Sequence, residues 1–547
     1  MLDSALLPSS SPTPESPLKR NPLILAAIDI GTNSIHMVIV RVDATLSTFK
    51  IIAREKDTVR LGDRDPKTHH LTPAAIERAL GALRRCQDLA NSFEAQQIIA
   101  TATSATREAP NGKDFIQQVE QELGLQIDLI SGPEEARRIY LGVFSGIEFT
   151  PQPHVIIDIG GGSTELILAD RQDARFLSST KVGAVRLTHE FVEHDPMTPK
   201  ELQYLHAYVR GMLERPVEQI RTHLQPEEPA PRLIGTSGTI ETLITLCAEA
   251  SEAGVPNLLN GYTVSREQLE AIAAQLAEMS YQERLELSGL NERRAEIIGA
   301  GAVVLIEAMQ MLGLEQLTLC ERALREGMIV DWMLKNGLIE NKLRYQSDIR
   351  QRSVQQLAQR YGVDNDYSKT VARFALELFD ALQGKLHFWQ EPERSLLWTA
   401  AMLHNSGIYI SHAAHHKHSY YLIRHGELLG YSENEVEIVA NLARYHRKSK
   451  PKKKHDNFQA LPDKRSRQLV EQLSAILRLA VGLDRRQRGA VAEIHCTYDA
   501  EHRQAYLYLT PSNPGDRCEL EIWNLGYKKE VFEGEFEVSL EVGLAQA

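Results

Sequence analysis

Two short stretches of the sequence combine an aspartate, a glycine turn and a hydroxyl side chain: residues 28–34, IDIGTNS, and residues 157–163, IDIGGGS. Each stretch follows an apolar run rich in β-forming residues and leads into a second such run, which predicts a strand, a tight turn and another strand. Turn glycines let backbone N–H groups approach phosphate oxygens, and we expect Asp29 and Asp158 to face the same space. The sequence therefore predicts two phosphate-binding β-hairpins.

The residues after each turn distinguish these hairpins from other phosphate motifs. A Walker loop or a dinucleotide fingerprint requires a helix after the glycines, and a Walker loop also requires a lysine. Here residues 35–40 and 166–168 continue as strand, and neither turn contains lysine. One such turn alone is often a structural β-turn capped by its aspartate, but two copies in register favour phosphate binding.

The paired hairpins resemble those of the actin, Hsp70 and sugar-kinase (ASKHA) superfold, in which two duplicated α/β domains hold a phosphate chain and a divalent metal between them. Five further motifs resemble those of the exopolyphosphatase and guanosine pentaphosphate phosphohydrolase (Ppx/GppA) family, in the same order: residues 103–107 (TSATR), 130–137 (ISGPEEAR), 158–165 (DIGGGSTE), 235–239 (GTSGT) and 323–327 (ALREG). The similarity continues through residues 401–404 and 444–448. The chain thus resembles the long, multidomain form of the family, and within it exopolyphosphatase.

The resemblance and the order of the strand and helix patterns predict an α/β fold class followed by a helical region. After the first hairpin, the patterns predict a helix at residues 74–90 with Thr72 as its N-cap and a strand at 97–102. In chain order we expect a disordered tail (1–21), two ASKHA-like domains (22–146 and 147–335), an all-α HD-like domain (336–489) and a small β-rich C-terminal domain (490–547). Strands of the last domain are predicted at residues 493–498, 505–509 and 518–523, where β-forming residues alternate or cluster between turn signals.

The composition is that of an ordinary soluble protein: 547 residues, of which 43% are hydrophobic and 24% charged, enough for several domains. No apolar run approaches the about 20 residues of a membrane span, so none is expected. The first residues also lack the pattern of a signal peptide. Five widely spaced cysteines, an odd number, predict reduced thiols and a cytoplasmic location.

Hydrolysis of a phosphoanhydride requires a positioned water, groups that neutralise the transferred phosphoryl group and usually a metal. Glu135 matches the general base of the family, at the start of a helix that follows the Ser-Gly-Pro turn. From the residues alone, Glu134 and Glu135 are equally well explained as first-turn acids favoured by the helix dipole. Arg107 is predicted to be a second catalytic residue that clamps phosphate oxygens, and Arg60 is a weaker candidate.

The predicted metal ligands are Asp158 and Glu165, which flank the second glycine turn and could hold Mg²⁺ or Mn²⁺ together with water and substrate oxygens. Asp29 is the first-copy equivalent of Asp158, but His36 stands where the second copy has Glu165. This asymmetry predicts a metal nearer to the second hairpin. Asp29 would then contact the metal through water, or it would serve only as a turn cap.

A third glycine run, residues 235–239, lies between an apolar strand and a helix predicted at 240–250. Its backbone donors and the start of the helix form an anion site on general grounds. The predicted phosphate-binding residues of the three turns are Asp29, Gly31, Thr32, Asn33, Ser34, Gly161, Gly162, Ser163, Thr236, Ser237, Gly238 and Thr239.

Several histidines in the helical region resemble the metal ligands of HD-type phosphohydrolases. The residues concerned are His404, His412, His415, His416, His418 and Asp484. The His-Asp dyad of such a site has become His404-Asn405 here, which removes negative charge that a divalent ion needs. We therefore expect these helices to act as a scaffold and binding surface and not as a second metal centre.

Seven of the eleven residues 444–454 are Lys or Arg, although the formal net charge of the chain is −12. Such a segment is often a solvated loop, and contact with a long polyphosphate explains it equally well. The aromatic residues that single-strand nucleic-acid binders interleave with such charges are missing, so no nucleic-acid partner is expected. The residues predicted to bind a polyphosphate tail are Arg444, Arg447, Lys448, Lys450, Lys452, Lys453 and Lys454.

Together these inferences predict an exopolyphosphatase, a Mg²⁺-dependent enzyme that removes terminal orthophosphate from inorganic polyphosphate, processively if the helical region holds the chain. Two alternatives stay open: a 5′-phosphohydrolase of pppGpp, and a non-catalytic sensor of polyphosphate or alarmone. An ATP-dependent kinase of the same superfold is disfavoured because no base-binding glycine pair is evident. The resemblance also implies a homodimer.

Overall fold

The computed structural model describes residues 23–545 except 252–254, 257, 288, 340–348, 427, 432 and 462. The tail predicted at residues 1–21 lies outside the described residues. Along the chain, two mixed β-sheets with their helices are followed by a bundle of helices and a three-stranded sheet.

The strands of the described residues form three sheets. They are β1 Leu23–Ile30, β2 Ile35–Asp43, β3 Thr48–Asp57, β4 Gln97–Ala102, β5 Ile127–Leu129, β6 His154–Ile159, β7 Thr164–Ala169, β8 Ala174–Thr180, β9 Arg232–Thr236, β10 Thr263–Ser265, β11 Gln316–Leu319, β12 Val491–Asp499, β13 Gln504–Pro511 and β14 Ser539–Leu544.

The helices fall into an N-terminal group that covers the first two sheets and a C-terminal group that packs on itself. The first group is α1 Pro73–Ser92, α2 Ser104–Glu108, α3 Gly112–Leu123, α4 Gly132–Gly146, α5 Ala184–Phe191, α6 Pro199–His223, α7 Gly238–Glu249, α8 Arg266–Glu278, α9 Tyr281–Leu285, α10 Glu292–Leu312 and α11 Leu324–Lys335. The second group is α12 Ile349–Arg360, α13 Asn365–Leu382, α14 Glu391–Leu403, α15 His415–Arg424, α16 Glu433–Tyr445, α17 Asp456–Gln459, α18 Lys464–Leu483 and α19 Glu519–Phe536, with a 3₁₀ turn at Ser406–Tyr409.

The first two sheets repeat one topology. In the first, β1, β2 and β3 form an antiparallel meander and β1 also pairs in parallel with β4. In the second, β6, β7 and β8 form the meander and β6 pairs in parallel with β9. The hairpin turns and the loops after β4 and β9 therefore lie at the carboxyl edges of parallel strands, where α/β sheets bind ligands.

Several predicted elements of this region are confirmed. The strand predicted at residues 97–102 is β4, and the helix predicted at 74–90 is α1. Thr72 is its N-cap and accepts a hydrogen bond from the backbone N–H of Ala75. Strands β6 and β7 are buried along their whole length, which explains why their sequences are continuous apolar runs without alternation.

Helices α4 and α11 lie between the two sheets and share one hydrophobic core with β1 and β2 on one side and β6 and β7 on the other. The helices cross at glycines. A Cβ atom on Gly142 would lie 2.0 Å from the carbonyl oxygen of Ala323, and a Cβ atom on Gly327 would lie 1.7 Å from that of Arg138. Only glycine at both positions allows the two backbones to approach this closely.

The third sheet and the C-terminal group of helices bury their apolar residues in one continuous core. Strands β12 and β13 confirm two of the predicted strands, but the strand predicted at residues 518–523 is wrong, because these residues lie at the start of helix α19. Leu525, Phe532 and Phe536 are buried on that helix at helical spacing, a pattern that a six-residue window does not contain. The third strand is β14, which the sequence reasoning missed.

The domain boundaries predicted at residues 146, 335 and 489 stay predictions, and the last of them falls within the shared C-terminal core. One helix of the described chain, α10, is long and apolar enough to span a membrane by length and composition. Within its most apolar window 78% is buried inside the protein, as expected for a core helix.

Candidate functional site

A cavity of about 220 Å³ lies between the two sheets, where the turns of the β1–β2 and β6–β7 hairpins meet. The two turns have the same backbone geometry. The N–H of Gly31 donates to the carbonyl of Ser34 at 3.1 Å, and the N–H of Gly160 donates to the carbonyl of Ser163 at 2.9 Å. The predicted pair of equivalent hairpins is therefore present.

The tips of the hairpins touch each other. A Cβ atom on Gly162 would lie 2.7 Å from the hydroxyls of Thr32 and Ser104, so glycine is required at this contact. The N–H groups of Ala184 and Val185, at the start of α5, donate to the carbonyls of residues 160 and 161. Because these carbonyls are engaged on the far side, the turn is held in one orientation toward the cavity.

Five carboxylates line the cavity. We term four of them the acidic cluster: Asp29, Glu135, Asp158 and Glu165. The fifth, Glu241, lies near Lys56 and Arg294. Burial raises the pKa of Asp158 to about 7 and that of Glu165 to about 8, and the negative charge of a neighbouring carboxylate adds to each shift. Burial likewise raises the pKa of Asp29 to about 6, against the opposing charge of Arg325. Such a cluster favours protons or a cation among its members.

Glu135 lies in the first turn of α4, and Arg107 determines its orientation. The Arg107 guanidinium donates to the carbonyl of Ile130 at 2.8 Å and to Oε2 of Glu135 at 3.1 Å. Burial and the charge of Glu165 nevertheless raise the pKa of Glu135 above its usual range. Arg107 is not among the residues that line the cavity, so its contacts support Glu135, and the predicted direct clamp on phosphate stays a prediction.

Glu134 is engaged away from the cavity. Its carboxylate accepts hydrogen bonds from Arg137 and Arg138, one helical turn further along α4. The hydrogen bond from Arg137 is the main reason that the pKa of Glu134 is lowered to about 2. The two adjacent acids thus differ: one stabilises the helix and the other faces the cavity.

Three cations, which we term the basic side, also line the cavity: Lys56, Arg294 and Arg325. Arg325 lies nearest to the acidic cluster, where its charge acts on Asp29 and Asp158. The guanidinium of Arg325 contacts Nδ1 of His36 at 3.2 Å. Burial, with the nearby positive charges, lowers the pKa of His36 to about 2, so its ring is neutral. Burial also lowers the pKa of Arg294. Its guanidinium forms no hydrogen bond or ion pair with any described residue.

A second cavity of about 170 Å³ adjoins the first and shares Asn33, Lys56 and Arg294 with it. Its lining adds Arg293, so cations continue from the hairpin turn toward the outside of the cleft. A substrate with several consecutive phosphates could therefore extend from the acidic cluster along a positively charged path.

The third glycine run forms the turn between β9 and α7. Ser237 has a φ angle of +93°, which is unusual for a residue with a side chain, and its buried hydroxyl has no hydrogen-bond partner in the described structure. The helix that follows begins at Gly238, so its N-terminal N–H groups point to the same place. A Cβ atom on Gly238 would lie 2.2 Å from the Arg294 guanidinium. The turn is therefore suited to an anion.

The structure brings most of the predicted site residues together. Those that line the cavity are Asp29, Gly31, Thr32, Asn33, Ser34, Glu135, Asp158, Gly161, Gly162, Ser163, Glu165, Ser237, Gly238 and Thr239. Thr236 does not line it, since its buried hydroxyl donates to the carbonyl of Arg322. Arg60 lies outside this cavity and pairs with Glu296 at 2.5 Å across the rim of the cleft.

The sequence reasoning missed the basic side. Arg325 was noted only within a motif, and Lys56 and Arg294 belong to no glycine turn. Lys56 is near the end of β3, the third strand of the meander, and Arg294 is in the first turn of α10. The sequence did contain one indication of Lys56. The third strand of each meander pairs with the second strand of a hairpin, so its last residues lie beside the hairpin turn.

The histidines of the helical region form a chain of hydrogen bonds. The Arg447 guanidinium contacts Nδ1 of His415 at 3.0 Å, and Nε2 of His415 lies 3.3 Å from Nε2 of His446. The other ring nitrogen of His446 lies 2.6 Å from the carbonyl of Ala443. The carbonyl of His412 also lies 3.1 Å from Nδ1 of His415, and the Arg447 guanidinium lies 3.3 Å from Nε2. Nδ1 of His415 is therefore shared between a group that only donates, Arg447, and a group that only accepts, the carbonyl of His412.

His404 and Asp484, two further predicted members of an HD-like site, contact backbone groups, but the buried Nε2 of His404 has no hydrogen-bond partner in the described structure. Nδ1 of His404 lies 2.7 Å from the carbonyl of Ala401, and burial lowers the pKa of His404 to about 4. Asp484 accepts hydrogen bonds from the backbone N–H groups of Arg488 and Gly489 at the end of α18. These contacts agree with a scaffold, whereas metal binding here stays untested.

The basic residues predicted to hold a polyphosphate tail divide into two groups. Arg447 lies against His415, and Arg444 lies over the ring of Tyr420, 5.7 Å from its centroid. The lysines are exposed: Lys448, Lys450, Lys452, Lys453 and Lys454. Arg444 and Lys454 line an open cavity of about 560 Å³ between α15, α16 and α17.

The donor set of the acidic cluster fits a hard divalent cation, since buried carboxylates with raised pKa values gain most from a neighbouring positive charge. Among the described residues, three ligand atoms within 4.8 Å of one another occur only at Glu193, His194 and Glu201. There Glu201 already caps α6 through Thr198. An ion at the acidic cluster would thus take several ligands from water and substrate, as Mg²⁺ usually does.

The fold and the site define an α/β protein with two duplicated hairpins, whose turns meet at a cavity suited to phosphate. Residues 38–336 match the Ppx/GppA phosphatase family, and residues 349–529 match domain III of the Ppx/GppA phosphatases. The chain therefore belongs to the Ppx/GppA phosphatase family and is a hydrolase that acts on phosphoanhydride bonds.

Similar proteins include guanosine-5′-triphosphate,3′-diphosphate pyrophosphatases of Vibrio vulnificus and Vibrio cholerae. Each is 30% identical to this chain, over 510 and 506 residues; the matches cover 92% and 91% of this chain and 96% and 95% of the relatives. The crystal structure of an exopolyphosphatase from Cytophaga hutchinsonii matches with a TM-score of 0.53 and 26% identity, over 58% of this chain and 99% of that one.

Proposed function

We propose that this protein is an exopolyphosphatase that releases terminal orthophosphate from inorganic polyphosphate. The observation that carries the proposal is the polarity of the cleft, in which an acidic cluster at the hairpin turns faces a basic side that continues into the adjoining cavity. The acidic end suits the reacting phosphoryl group with a metal, and the basic path suits the phosphates behind it.

In this proposal the terminal phosphoryl group lies against the N–H groups of the glycine turns. Glu135 accepts a proton from water as the water oxygen bonds to phosphorus, and the bond to the bridging oxygen breaks. The shortened chain leaves with the negative charge of that oxygen, next to the basic side. The raised pKa of Glu135 supports this role, because a base with a pKa nearer to neutrality is a more effective proton acceptor.

Asp158 and Glu165 would hold Mg²⁺, or Mn²⁺, at the reacting end of the substrate. A bound divalent ion supplies charge neutralisation at the phosphoryl oxygens. The protein's own contribution is to keep Asp158 and Glu165 on paired strands, where their Cα atoms are directly opposite each other.

The second candidate function is hydrolysis of the 5′-phosphate of pppGpp, which the names of the full-length Vibrio relatives favour. The lining of the cleft argues for the first candidate. None of the described residues around either cavity is Phe, Tyr or Trp, the rings that offer the largest stacking surface to a guanine base.

The helical region is proposed to be an HD-like scaffold that holds the rest of a long substrate through the exposed lysines of residues 448–454. A homodimer and a cytoplasmic location are proposed from the family resemblance and the cysteines. All five cysteines are buried free thiols, as a reducing compartment would leave them.

One preparation assayed on two substrates tests the proposal. Phosphate release from long-chain polyphosphate and from pppGpp is measured at equal concentrations of terminal phosphate with Mg²⁺, and kcat/KM is compared. We expect the value for polyphosphate to be the larger. A larger value for pppGpp would favour the second candidate. The Glu135→Gln variant, purified identically, should lack both activities, which excludes a contaminating phosphatase.

A further inference from the structure

The two equivalent hairpins carry a serine at the same turn position, and the two serines use their hydroxyl groups differently. On the first hairpin, Oγ of Ser34 lies 2.6 Å from Nε2 of His36. The other ring nitrogen of His36, Nδ1, lies 3.2 Å from the guanidinium of Arg325. Ser34 and His36 both line the catalytic cavity.

The chemistry of these three groups determines where the protons lie. A guanidinium has donors only, so Nδ1 of His36 must accept from Arg325 with its lone pair. The ring of a neutral histidine then carries its proton on Nε2. That N–H donates to Oγ of Ser34, which accepts through an oxygen lone pair. The hydroxyl proton of Ser34 is therefore left for another acceptor.

No described residue accepts that proton. The hydrogen bond to His36 is the only side-chain contact of Ser34 in the described structure. The hydroxyl lies at the end of a turn whose N–H groups face the same cavity, and cations line the space beside it. An acceptor that enters this space is an anion, and a phosphate oxygen fits the site.

The second hairpin uses its serine in the opposite way. Glu165 stands at the position of His36, and a hydrogen bond from Ser163 stabilises its carboxylate, as does one from Ser179 at 2.7 Å. When Glu165 is ionised, as it would be with a metal bound, its carboxylate only accepts hydrogen bonds, so Ser163 then donates its proton to the protein. Replacing a glutamate by a histidine at one position therefore reverses the direction of the serine hydrogen bond.

We propose that His36, held by Arg325, is a positioning residue that keeps the Ser34 hydroxyl as a hydrogen-bond donor to a phosphate oxygen of the substrate. This inference deepens the proposed function and rests on it for the identity of the anion. Arg325 thereby has two tasks, to fix the tautomer of His36 and to contribute positive charge. The duplicated hairpins are divided between one that donates to substrate and one that supports the acidic cluster.

The tautomer can be tested without any assay of activity. In the wild-type protein labelled with ¹⁵N on the histidine rings, two-bond ¹⁵N–¹H correlation spectra distinguish the Nε2–H from the Nδ1–H form. The His36→Gln variant identifies the His36 signals. We expect the Nε2–H tautomer. An Nδ1–H tautomer would mean that Ser34 donates to His36, which overturns the proposal even if the enzyme hydrolyses polyphosphate.

The effect on substrate is tested with a matched set of variants. Ser34→Ala and His36→Leu should each reduce kcat/KM for polyphosphate by about ten- to a hundredfold, the loss of one hydrogen bond to a charged group. His36→Gln, which keeps an oxygen for Arg325 and an N–H for Ser34, should recover most of the loss. The double variant, Ser34→Ala with His36→Leu, should lose no more than the worse single variant, because both changes remove the same interaction.

Two results would overturn the proposal: multiplicative losses in the double variant, or a His36→Gln variant as impaired as His36→Leu while both keep the wild-type melting temperature. If a variant hydrolyses polyphosphate too slowly for kinetics, its affinity for orthophosphate, a competitive inhibitor, is measured instead. A wild-type enzyme that hydrolyses neither polyphosphate nor pppGpp would instead reject the proposed function, and the histidine spectra would still decide the hydrogen-bond arrangement.

Discussion

The two hairpins share the same backbone conformation at their turns, but their side chains differ in charge. Each has an aspartate directly opposite a second polar residue on the paired strand: Asp29 opposite His36 in the first, and Asp158 opposite Glu165 in the second. The first contacts the basic side through Arg325, whereas the second contributes two members of the acidic cluster. Each hairpin thus supplies backbone N–H groups at its turn. One side chain, His36 in the first hairpin and Glu165 in the second, determines whether the neighbouring charge is positive or negative.

The largest effect should come from Glu135, the proposed general base, which lies near Glu165 of the second hairpin. Glu135→Gln keeps the shape and the hydrogen bond from Arg107 but does not accept a proton, so kcat for polyphosphate should fall by about 10²-fold or more. KM should change little, because the glycine turns and the basic side are intact. Steady-state phosphate release gives both values.

Glu134→Gln is the matched control for Glu135→Gln. It should leave kcat near that of the wild type and lower the melting temperature, since Glu134 bonds Arg137 and Arg138 within α4. Equal losses of kcat in the two variants would contradict the division of roles between these acids.

The next effect separates the hairpins by their metal dependence. Asp158→Asn and Glu165→Gln should each raise the Mg²⁺ concentration needed for half-maximal activity by about tenfold or more, because each removes ligand charge. Asp29→Asn should raise it less. Mg²⁺ titrations of phosphate release measure all three, and an equal shift for Asp29→Asn would remove the predicted asymmetry.

His404→Ala and Asp484→Asn are controls in the helical region for these titrations. Their side chains are engaged with backbone groups, so neither substitution should change the Mg²⁺ requirement. A metal bound stoichiometrically at His404 would contradict the scaffold role of the helical region.

A third effect should appear in the pH dependence of the melting temperature when metal is removed with EDTA. Asp158 and Glu165 have pKa values of about 7 and 8 in the folded protein, well above those of unfolded chains, so the folded state binds more protons. These two groups should therefore lower the melting temperature in EDTA as the pH rises from about 4 to 8. Buried histidines with lowered pKa values act in the opposite direction, so the effect is measured as the difference between the wild type and Asp158→Asn or Glu165→Gln. Mg²⁺ should restore the melting temperature of the wild type more at pH 8 than at pH 5. Thermal unfolding with both additives measures this.

The same measurement compares the two hairpins. The pKa of Asp29 is raised only to about 6, so Asp158→Asn should remove more of the decline of the melting temperature with pH than Asp29→Asn. The same pH dependence of the melting temperature in EDTA for the wild type and Asp158→Asn would argue against a buried, protonated Asp158 in the folded protein.

The smallest effect should come from residues that belong to neither hairpin. Replacing the exposed residues Lys450, Lys452, Lys453 and Lys454 by Gln should raise KM for long polyphosphate by about tenfold at low salt. Short chains and pppGpp should be affected little, because they do not reach beyond the cleft. Unchanged activity on long chains across a salt series would contradict tail binding by this segment.

Much of the fold could be predicted because its signals are local and repeated. The two Asp-x-Gly turns, the Thr72 cap and the strand at 97–102 are each written within a few residues. The C-terminal helix α19 was mistaken in its first part, because alternation over six residues does not distinguish a strand from one face of a helix. Even over its eighteen residues, α19 has almost no helical periodicity of hydrophobic residues, so the pattern did not distinguish it from a strand.

The site was predicted in its acidic part and missed in its basic part for a physical reason. Carboxylates and glycines of the turns are adjacent in sequence, so a motif contains them. Lys56, Arg294 and Arg325 come from three separate elements and meet only after both sheets have formed. Thr236 shows the opposite error: it belongs to a phosphate-like motif, yet its hydroxyl is used by the carbonyl of Arg322.

The close crossing of α4 and α11 at two glycines fixes the position of the acidic cluster relative to the basic side. Glu135 is in the first turn of one helix and Arg325 in the first turn of the other, while Gly142 and Gly327 allow the backbones between them to touch. The crossing therefore sets the distance between Glu135 and Arg325. A methyl group added to Gly142, about two helical turns from Glu135, or to Gly327 would push the helices apart and change that distance. Neither substitution would alter a residue that lines the cavity.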